Sequence, residues 1–195
     1  MKQQELSYNT KTALAAALRE RLRREPLGKI SVKELSEDCE INRQTFYYHF
    51  ADIYELLFWM FSEDMKSLTE QQTNVLIWQD GFLLVFKYLN RNKDVVLNVY
   101  RSVGHEMFRD LIYDNVYMIL RDTIEHDFRN IALPDGSVDF YTSYCIIALT
   151  GLVENWLTGR LRYTPEEIIR MTESIITAQI EGAKAIWGVK PDWSE

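Results

Sequence analysis

A short stretch around residue 45 gathers side chains that bind phosphate groups and the edges of DNA bases. Six such residues fall within seven positions: Arg43, Gln44, Thr45, Tyr47, Tyr48 and His49. Arginine can donate two hydrogen bonds to guanine and glutamine can pair with adenine, whereas tyrosine and histidine suit phosphate oxygens. The stretch therefore predicts a helix that lies against DNA.

A helical arrangement of residues 42–50 separates these side chains by face. At about 100° per residue, Phe46 and Phe50 lie together, and Gln44 and Tyr48 point the opposite way. A helix this short is not stable alone in water, so the two phenylalanines must hold it by packing. The side chains left for contact are Arg43 and Gln44 as base readers, Thr45, Tyr47 and His49 as phosphate contacts, and Tyr48 on the outer face.

Lys33, on the preceding helix, can reach the DNA backbone or an adjacent base edge. The alternative is a surface helix of an all-α bundle that carries incidental polar groups. The charge distribution bears on this choice, since residues 1–50 hold nine Lys or Arg against seven Asp or Glu, a charge of +2. The rest of the chain holds 13 basic against 22 acidic residues, a charge of −9. This distribution fits a DNA-binding head whose acidic body is kept away from the phosphates.

Helical periodicity dominates the chain, and glycine and proline are scarce. A capping box, Ser31 to Glu34, starts the second helix, and Thr164 before Pro165 starts the last one. The predicted helices are 10–24, from 31, 42–50, 52–69, 78–91, 93–103, 105–129, 138–160 and 165–187. The sequence thus predicts an all-α protein of about nine helices, with the first eight residues and the tail after Trp187 loosely held.

Several classes of protein are disfavoured. The N-terminus lacks the apolar core of a signal peptide, and no apolar run is long enough to span a bilayer. Cys39 and Cys145 lack the spacing of a metal site and are expected to be reduced core residues of a cytoplasmic protein. No Gly-rich phosphate loop, HExxH or GxSxG motif is present, so we expect no enzyme, cofactor or metal site.

The segment TFYYHFADIYELL, residues 45–57, resembles the recognition-helix signature of the TetR family of one-component transcriptional regulators. Its form is also similar to the branch of dihydroxyacetone-kinase regulators. The resemblance covers residues 10–60. It implies an N-terminal three-helix helix-turn-helix DNA-binding head at 8–52. A long fourth helix would join this head to a helical-bundle ligand-sensing and dimerisation domain at 53–187.

One position departs from the family pattern. The family usually has a lysine three residues after the His-Phe pair, where its ammonium meets a phosphate at the start of the fourth helix. Here that position is Ile53, and Asp52 precedes it. We therefore expect one phosphate contact to be missing and DNA binding to be weaker than in a lysine-bearing relative.

The last two helices are the candidates for dimerisation, because apolar and small residues recur on them every three to four positions. The candidate interface residues are Tyr144, Ala148, Gly151, Asn155, Ile168, Met171, Ile175 and Gln179. Packing inside one subunit is the alternative. The candidate ligand-binding residues are the aromatic side chains and one histidine of the central helices: Trp78, Phe82, Phe86, Tyr100, His105, Phe108 and Tyr117. An aromatic stripe is more often core than pocket.

The sequence therefore favours a dimeric, ligand-responsive regulator that binds a palindromic operator in double-stranded DNA, acting as a repressor released by a small-molecule effector. The alternative is a regulator of the same fold that takes its signal from a partner sensor protein and acts as an activator, with no small-molecule pocket of its own. The two differ in whether the body has room for a metabolite.

Overall fold

The computed structural model describes the backbone of residues 2–70 and 78–189, and the side chains in these ranges other than those of 2, 3, 69, 70, 78–81, 111, 112, 114–116, 118 and 119. Eight α-helices lie in the described ranges: α1 Lys2–Leu22, α2 Val32–Asp38, α3 Arg43–His49, α4 Ile53–Glu70, α5 Trp78–Arg91, α6 Lys93–Phe128, α7 Ser137–Leu157 and α8 Pro165–Trp187. A single 3₁₀ turn, Leu27–Lys29, separates α1 from α2. The only β-pairing in these ranges is an isolated bridge between Ile131 and Val189. The prediction of an all-α fold is confirmed.

The chain divides into two compact units. The first consists of Met1–Thr73 with Leu89–Leu111, and the second of Asn74–Tyr88 with Ile112–Glu195. The boundary predicted between residues 52 and 53 separates a DNA-binding from a sensing and dimerisation function, and it stays a prediction. Within the described ranges, no helix is long and apolar enough to cross a membrane.

Helix α1 begins at Lys2, eight residues before the predicted start at Thr10. The residues from Lys2 to Asn9, which the sequence placed outside the helix, are therefore helical. Tyr8 donates a hydrogen bond to Glu63 Oε2 at 2.9 Å, and its ring edge packs on Trp59 with centroids 5.9 Å apart. These contacts with α4 come from residues far away in sequence, so local periodicity gives no sign of them.

Helix α6 is interrupted at Gly104, where φ is +78° and ψ is 178°. Side-chain-bearing residues rarely adopt this conformation, whereas glycine does so without strain. The prediction of two helices, 93–103 and 105–129, is therefore confirmed in all but the last residue. Two hydrogen bonds join the first segment to the end of α1 and to the 3₁₀ turn after it: Asn98 Nδ2 donates to the Leu22 carbonyl at 2.7 Å, and Ser102 Oγ accepts from Leu27 N–H at 3.2 Å.

The second unit has its own core, to which α5, the second segment of α6, α7 and α8 contribute. Its buried members are Leu120, Ile124, Phe128, Ile131, Cys145, Ile146, Leu149 and Ala183. The predicted capping box of Ser31 with Glu34 is present, and the predicted helix start at Thr164 proves to be a second capping box, with Glu167. Both cysteines are free thiols, Cys145 buried and Cys39 partly so, and burial raises the pKa of each.

Candidate nucleic-acid interface

The short helix α3 is held against the first unit by its two phenylalanines, as predicted. Phe46 is fully buried and Phe50 is 2% exposed. The Phe50 ring lies 6.0 Å from that of Phe46 and 5.9 Å from Trp59 of α4. This packing replaces the stability that a helix of seven residues lacks in isolation.

The turn before α3 sets the helix start. Glu40 has φ of +54°, and Ile41 N–H donates to the Ser36 carbonyl at 3.0 Å, which closes the turn after α2. Asn42 then caps α3, since its Oδ1 accepts from Thr45 N–H at 2.8 Å and from the Thr45 hydroxyl at 3.1 Å. The Thr45 hydroxyl hydrogen is therefore directed at the cap, and its oxygen and methyl group remain for contact with DNA.

The side chains predicted to contact DNA lie on the outer faces of α3. Arg43 and Gln44 are exposed, Tyr47 is 57% exposed and Tyr48 is 76% exposed. Lys33 is also exposed on α2, with its ammonium 3.8 Å from a Glu37 oxygen. This arrangement can present two base-reading side chains and several phosphate donors to one groove.

His49, the last residue of α3, is half-buried rather than free in solvent. Its Nδ1 lies 3.4 Å from the hydroxyl oxygen of Ser7 on α1, and the Tyr48 ring meets its imidazole edge-on at 5.0 Å. Burial, and then the nearby ammonium of Lys11, lower the pKa of His49. The imidazole is thus favoured in its neutral form, in which one ring nitrogen donates and the other accepts.

The start of α4 carries two carboxylates. Asp52 Oδ1 accepts from Glu55 N–H at 2.9 Å, and Glu55 Oε2 accepts from Ala51 N–H at 2.5 Å. Ile53, the first helical residue, is partly buried. The backbone donors that could meet a phosphate are therefore partly taken by protein carboxylates, whose charge repels DNA.

An arginine of α1 forms ion pairs with α2. Arg21 makes a two-pronged contact with Asp38, Nε to Oδ2 at 2.5 Å and Nη2 to Oδ1 at 3.0 Å. Its Nη1 also lies 3.3 Å from carboxylate oxygens of Glu25 and of Glu34. The guanidinium hydrogen bonds hold the pKa of Asp38 below its usual range. This contact fixes the helix that supports α3.

The candidate ligand-binding residues fall into two groups. In the first unit, the Tyr100 hydroxyl lies 3.0 Å from His105 Nδ1, and the ring packs edge-on against buried Phe108 at 5.2 Å. The second unit holds Phe82, Phe86 and Tyr117, of which Phe86 is fully buried and packs on Trp156 at 5.0 Å. The side chain of Trp78 lies outside the described residues. Their role in ligand binding stays a prediction.

The candidate dimer residues differ in exposure. Ile168 is 2% exposed and packs inside its own subunit, so its side chain is not available to a partner subunit. Tyr144, Met171 and Ile175 are exposed, and the Tyr144 hydroxyl accepts from Gln179 Nε2 at 3.4 Å. Ala148 and Asn155 are exposed and Gly151 is partly so. The outer faces of α7 and α8 thus join into one surface.

A family model described as "Transcriptional regulator C-terminal region", of the TetR type, matches residues 77–178, more than half of the chain. The chain belongs to the TetR family of transcriptional regulators. The matched region lies beyond the helix-turn-helix, so it is independent of the recognition-helix resemblance. The relatives described below are transcriptional regulators as well, not enzymes.

Solved TetR-type structures share the fold. The dihydroxyacetone kinase operon activator DhaS superposes with a TM-score of 0.67 at 23% identity, covering 88% of this chain and 96% of that one. A TetR regulator from Streptococcus agalactiae 2603V gives 0.61 at 21% identity, over 90% and 98% of the two chains. NalD of Pseudomonas aeruginosa, described as the secondary repressor of the MexAB-OprM multidrug efflux pump, gives 0.57 at 16% identity, over 96% and 100%.

A curated relative also matches part of the chain. It is the HTH-type dhaKLM operon transcriptional activator DhaS of Lactococcus lactis subsp. lactis strain IL1403, 32% identical over 87 residues. These residues are 45% of this chain, and the match spans about half of the relative's length, 46%. The sequences similar to this chain thus include a transcriptional activator.

Sequence reasoning missed three α1 residues that touch this TetR-type head around α3. Ser7 contacts His49, Tyr8 contacts α4, and the Lys11 ammonium lies 5.2 Å from the Phe50 ring centroid and 5.8 Å from that of Trp59. Ser7 and Lys11 are four apart, the spacing of one helical face. That spacing was the only signal in the sequence, and it points to no partner.

Proposed function

We propose that two copies of this chain bind a palindromic operator in double-stranded DNA, each placing α3 in a major groove. In this proposal residues 8–52 form the DNA-binding head and residues 53–187 the sensing and dimerisation domain. The observation that carries it is the division of α3, with Phe46 and Phe50 buried while Arg43, Gln44 and Tyr47 face solvent. Buried anchors with exposed base readers suit a recognition helix.

The outer faces of α7 and α8 support dimer formation. Besides Tyr144, Met171 and Ile175, they expose Phe140 and Ile147. Two helices from each subunit would bury these side chains in a four-helix interface with two-fold symmetry. Such a dimer would present its two α3 helices to major grooves about 34–36 Å apart.

Selection of bound sequences from random duplexes at moderate salt tests DNA recognition. We expect a palindrome with two half-sites about one helical turn apart. Recovery of no shared sequence would overturn the proposal.

Light scattering tests the dimer: the wild-type chain should have the mass of two copies, and Ile175→Glu should shift it toward one, because a buried charge disfavours the interface.

The sign of regulation is a separate question. The partial likeness to DhaS, an operon activator, favours activation, whereas the sequence alone favoured a repressor released by a small molecule. A reporter gene placed behind the selected operator decides between them. Expression that rises when the regulator is present supports activation, and expression that falls supports repression.

The source of the signal divides the two candidate functions further. Phe86 and Phe108 are buried side chains with aromatic neighbours, which leaves less of the predicted aromatic set open to a metabolite. This favours a partner sensor protein over a small-molecule effector. In a foreign host that carries only the regulator and the reporter, a direct effector would still change expression, whereas a partner-dependent signal would be lost.

A further inference from the structure

The first three turns of α1 bring a hydroxyl to the recognition helix. Ser7 lies before the predicted helix start, yet α1 already extends from Lys2, and Ser7 Oγ is 3.4 Å from His49 Nδ1. The neighbouring Tyr8 is anchored on α4 by its hydrogen bond to Glu63 and its edge contact with Trp59. Because adjacent residues on the same helix are fixed to α4, Ser7 is held at this distance from His49.

The direction of the Ser7–His49 hydrogen bond depends on which form of the imidazole is present. A neutral histidine carries its proton on either Nδ1 or Nε2. A serine hydroxyl can donate to a bare Nδ1, and this places the imidazole proton on Nε2. The contact also restrains the ring orientation, which Tyr48 limits from its own side by an edge-on contact at 5.0 Å.

Burial, and then a nearby positive charge, favour the neutral ring of His49. Lys11, one turn beyond Ser7 on α1, places its ammonium over the Phe50 and Trp59 rings, close enough to oppose a second positive charge on His49. A neutral ring whose Nδ1 accepts the Ser7 hydrogen bond has a single N–H donor. That donor, Nε2–H, is the group a phosphate oxygen could accept.

We propose that Ser7 is a positioning residue for DNA binding: its hydroxyl donates to His49 Nδ1 and so holds His49 in the Nε2–H tautomer, with Nε2–H directed at a phosphate. The inference rests on the proposed DNA-binding function for its consequence, but not for the Ser7–His49 contact itself. It adds α1 to the elements that prepare the proposed interface.

The contact can be tested in the free protein by nitrogen-15 NMR of the imidazole rings. The chain has three histidines, so the His49 signals can be assigned by their loss in His49→Gln. We expect the Nε2–H tautomer in the wild-type chain, a larger Nδ1–H fraction in Ser7→Ala, and restoration in Ser7→Thr. Thr12→Ala is the matched control, because that hydroxyl bonds the Tyr8 carbonyl of its own helix. An unchanged tautomer in Ser7→Ala would overturn the inference.

The consequence is tested by operator affinity. Ser7→Ala should weaken binding by about fivefold per half-site, the effect of one ordinary hydrogen bond, while Ser7→Thr and Thr12→Ala should bind like the wild type. In a His49→Ala background the Ser7→Ala change should have no further effect, because alanine leaves the Ser7 hydroxyl no side-chain partner at this position. An equal loss in both backgrounds would also overturn the inference. Since the tautomer is read without DNA, a chain that binds no operator would refute the proposed function and still leave the contact decided.

Discussion

Ile53→Lys should add a phosphate contact to the proposed DNA-binding head. In the structure Ile53 is the first residue of α4 and is partly buried, with the carboxylates of Asp52 and Glu55 beside it. A lysine here can extend its ammonium past these groups to the DNA backbone. The variant should therefore bind its operator more tightly and depend more steeply on salt.

The size of the effect follows from counterion release. Each added phosphate contact steepens the slope of log K against log salt by about 0.9, so a dimer with two lysines should be steeper by about 1.8. Between 50 and 200 mM salt, a fourfold change, the affinity advantage of the variant should shrink by about 12-fold. Fluorescence anisotropy with a labelled operator measures both quantities across such a salt series.

The matched control is Ile53→Met, which changes the partly buried side chain without adding charge. Asp52→Asn gives a second comparison, since its amide oxygen can still cap α4 while one negative charge is removed. It should bind more tightly than the wild type. If Ile53→Lys and Ile53→Met share the same affinity and the same slope, the inferred docking of the α4 start near a phosphate is wrong.

Three further outcomes are expected. Arg21→Met should lower the free energy of unfolding by only about 1 kcal/mol at pH 7, because solvent screens the Arg21–Asp38 pair. The difference from the wild type should shrink as the pH falls below about 4, because the lowered pKa of Asp38 stabilises the fold only while this carboxyl is ionised. Denaturant titrations at pH 7 and pH 3 that show the same difference would contradict this. Ser36→Ala should raise the free energy of unfolding by up to about 1 kcal/mol in thermal melts, because the Ser36 hydroxyl is buried without a protein partner among the described residues; a lower stability would count against that account. In DNA selection, Arg43→Ala should relax one base preference per half-site, whereas Tyr47→Phe should weaken binding to all sequences; identical behaviour would refute the division into base and phosphate contacts.

Local signals in the sequence predicted most of the fold. The helix starts at Ser31 and Thr164 and the break at Gly104 each depend on a few adjacent residues, and the structure has all three. The division of α3 into buried and exposed faces follows in the same way, because helical geometry places Phe46 and Phe50 on one side whatever they pack against.

The contacts that prepare the interface could not be predicted, because they join residues far apart in the chain. Ser7 is 42 positions from His49, and Arg21 is 17 from Asp38. No local pattern states which helix an exposed-looking polar side chain will meet. The early start of α1 has the same origin, since its polar first turns are held by α4.

The amino-acid sequence by itself determined the order of the helices, most of their starts, and which side chains of α3 face inward, since these depend on spacing and on neighbours along the chain. The tertiary structure alone decided which aromatic side chains are core, as with Phe86 and Phe108, and that Ile168 turns inward while Ile175 remains exposed. It also decided that His49 is half-buried beside Ser7 and Lys11. The burial of a residue and the charges near it depend on every helix packed around it, and these helices come together only when the chain folds.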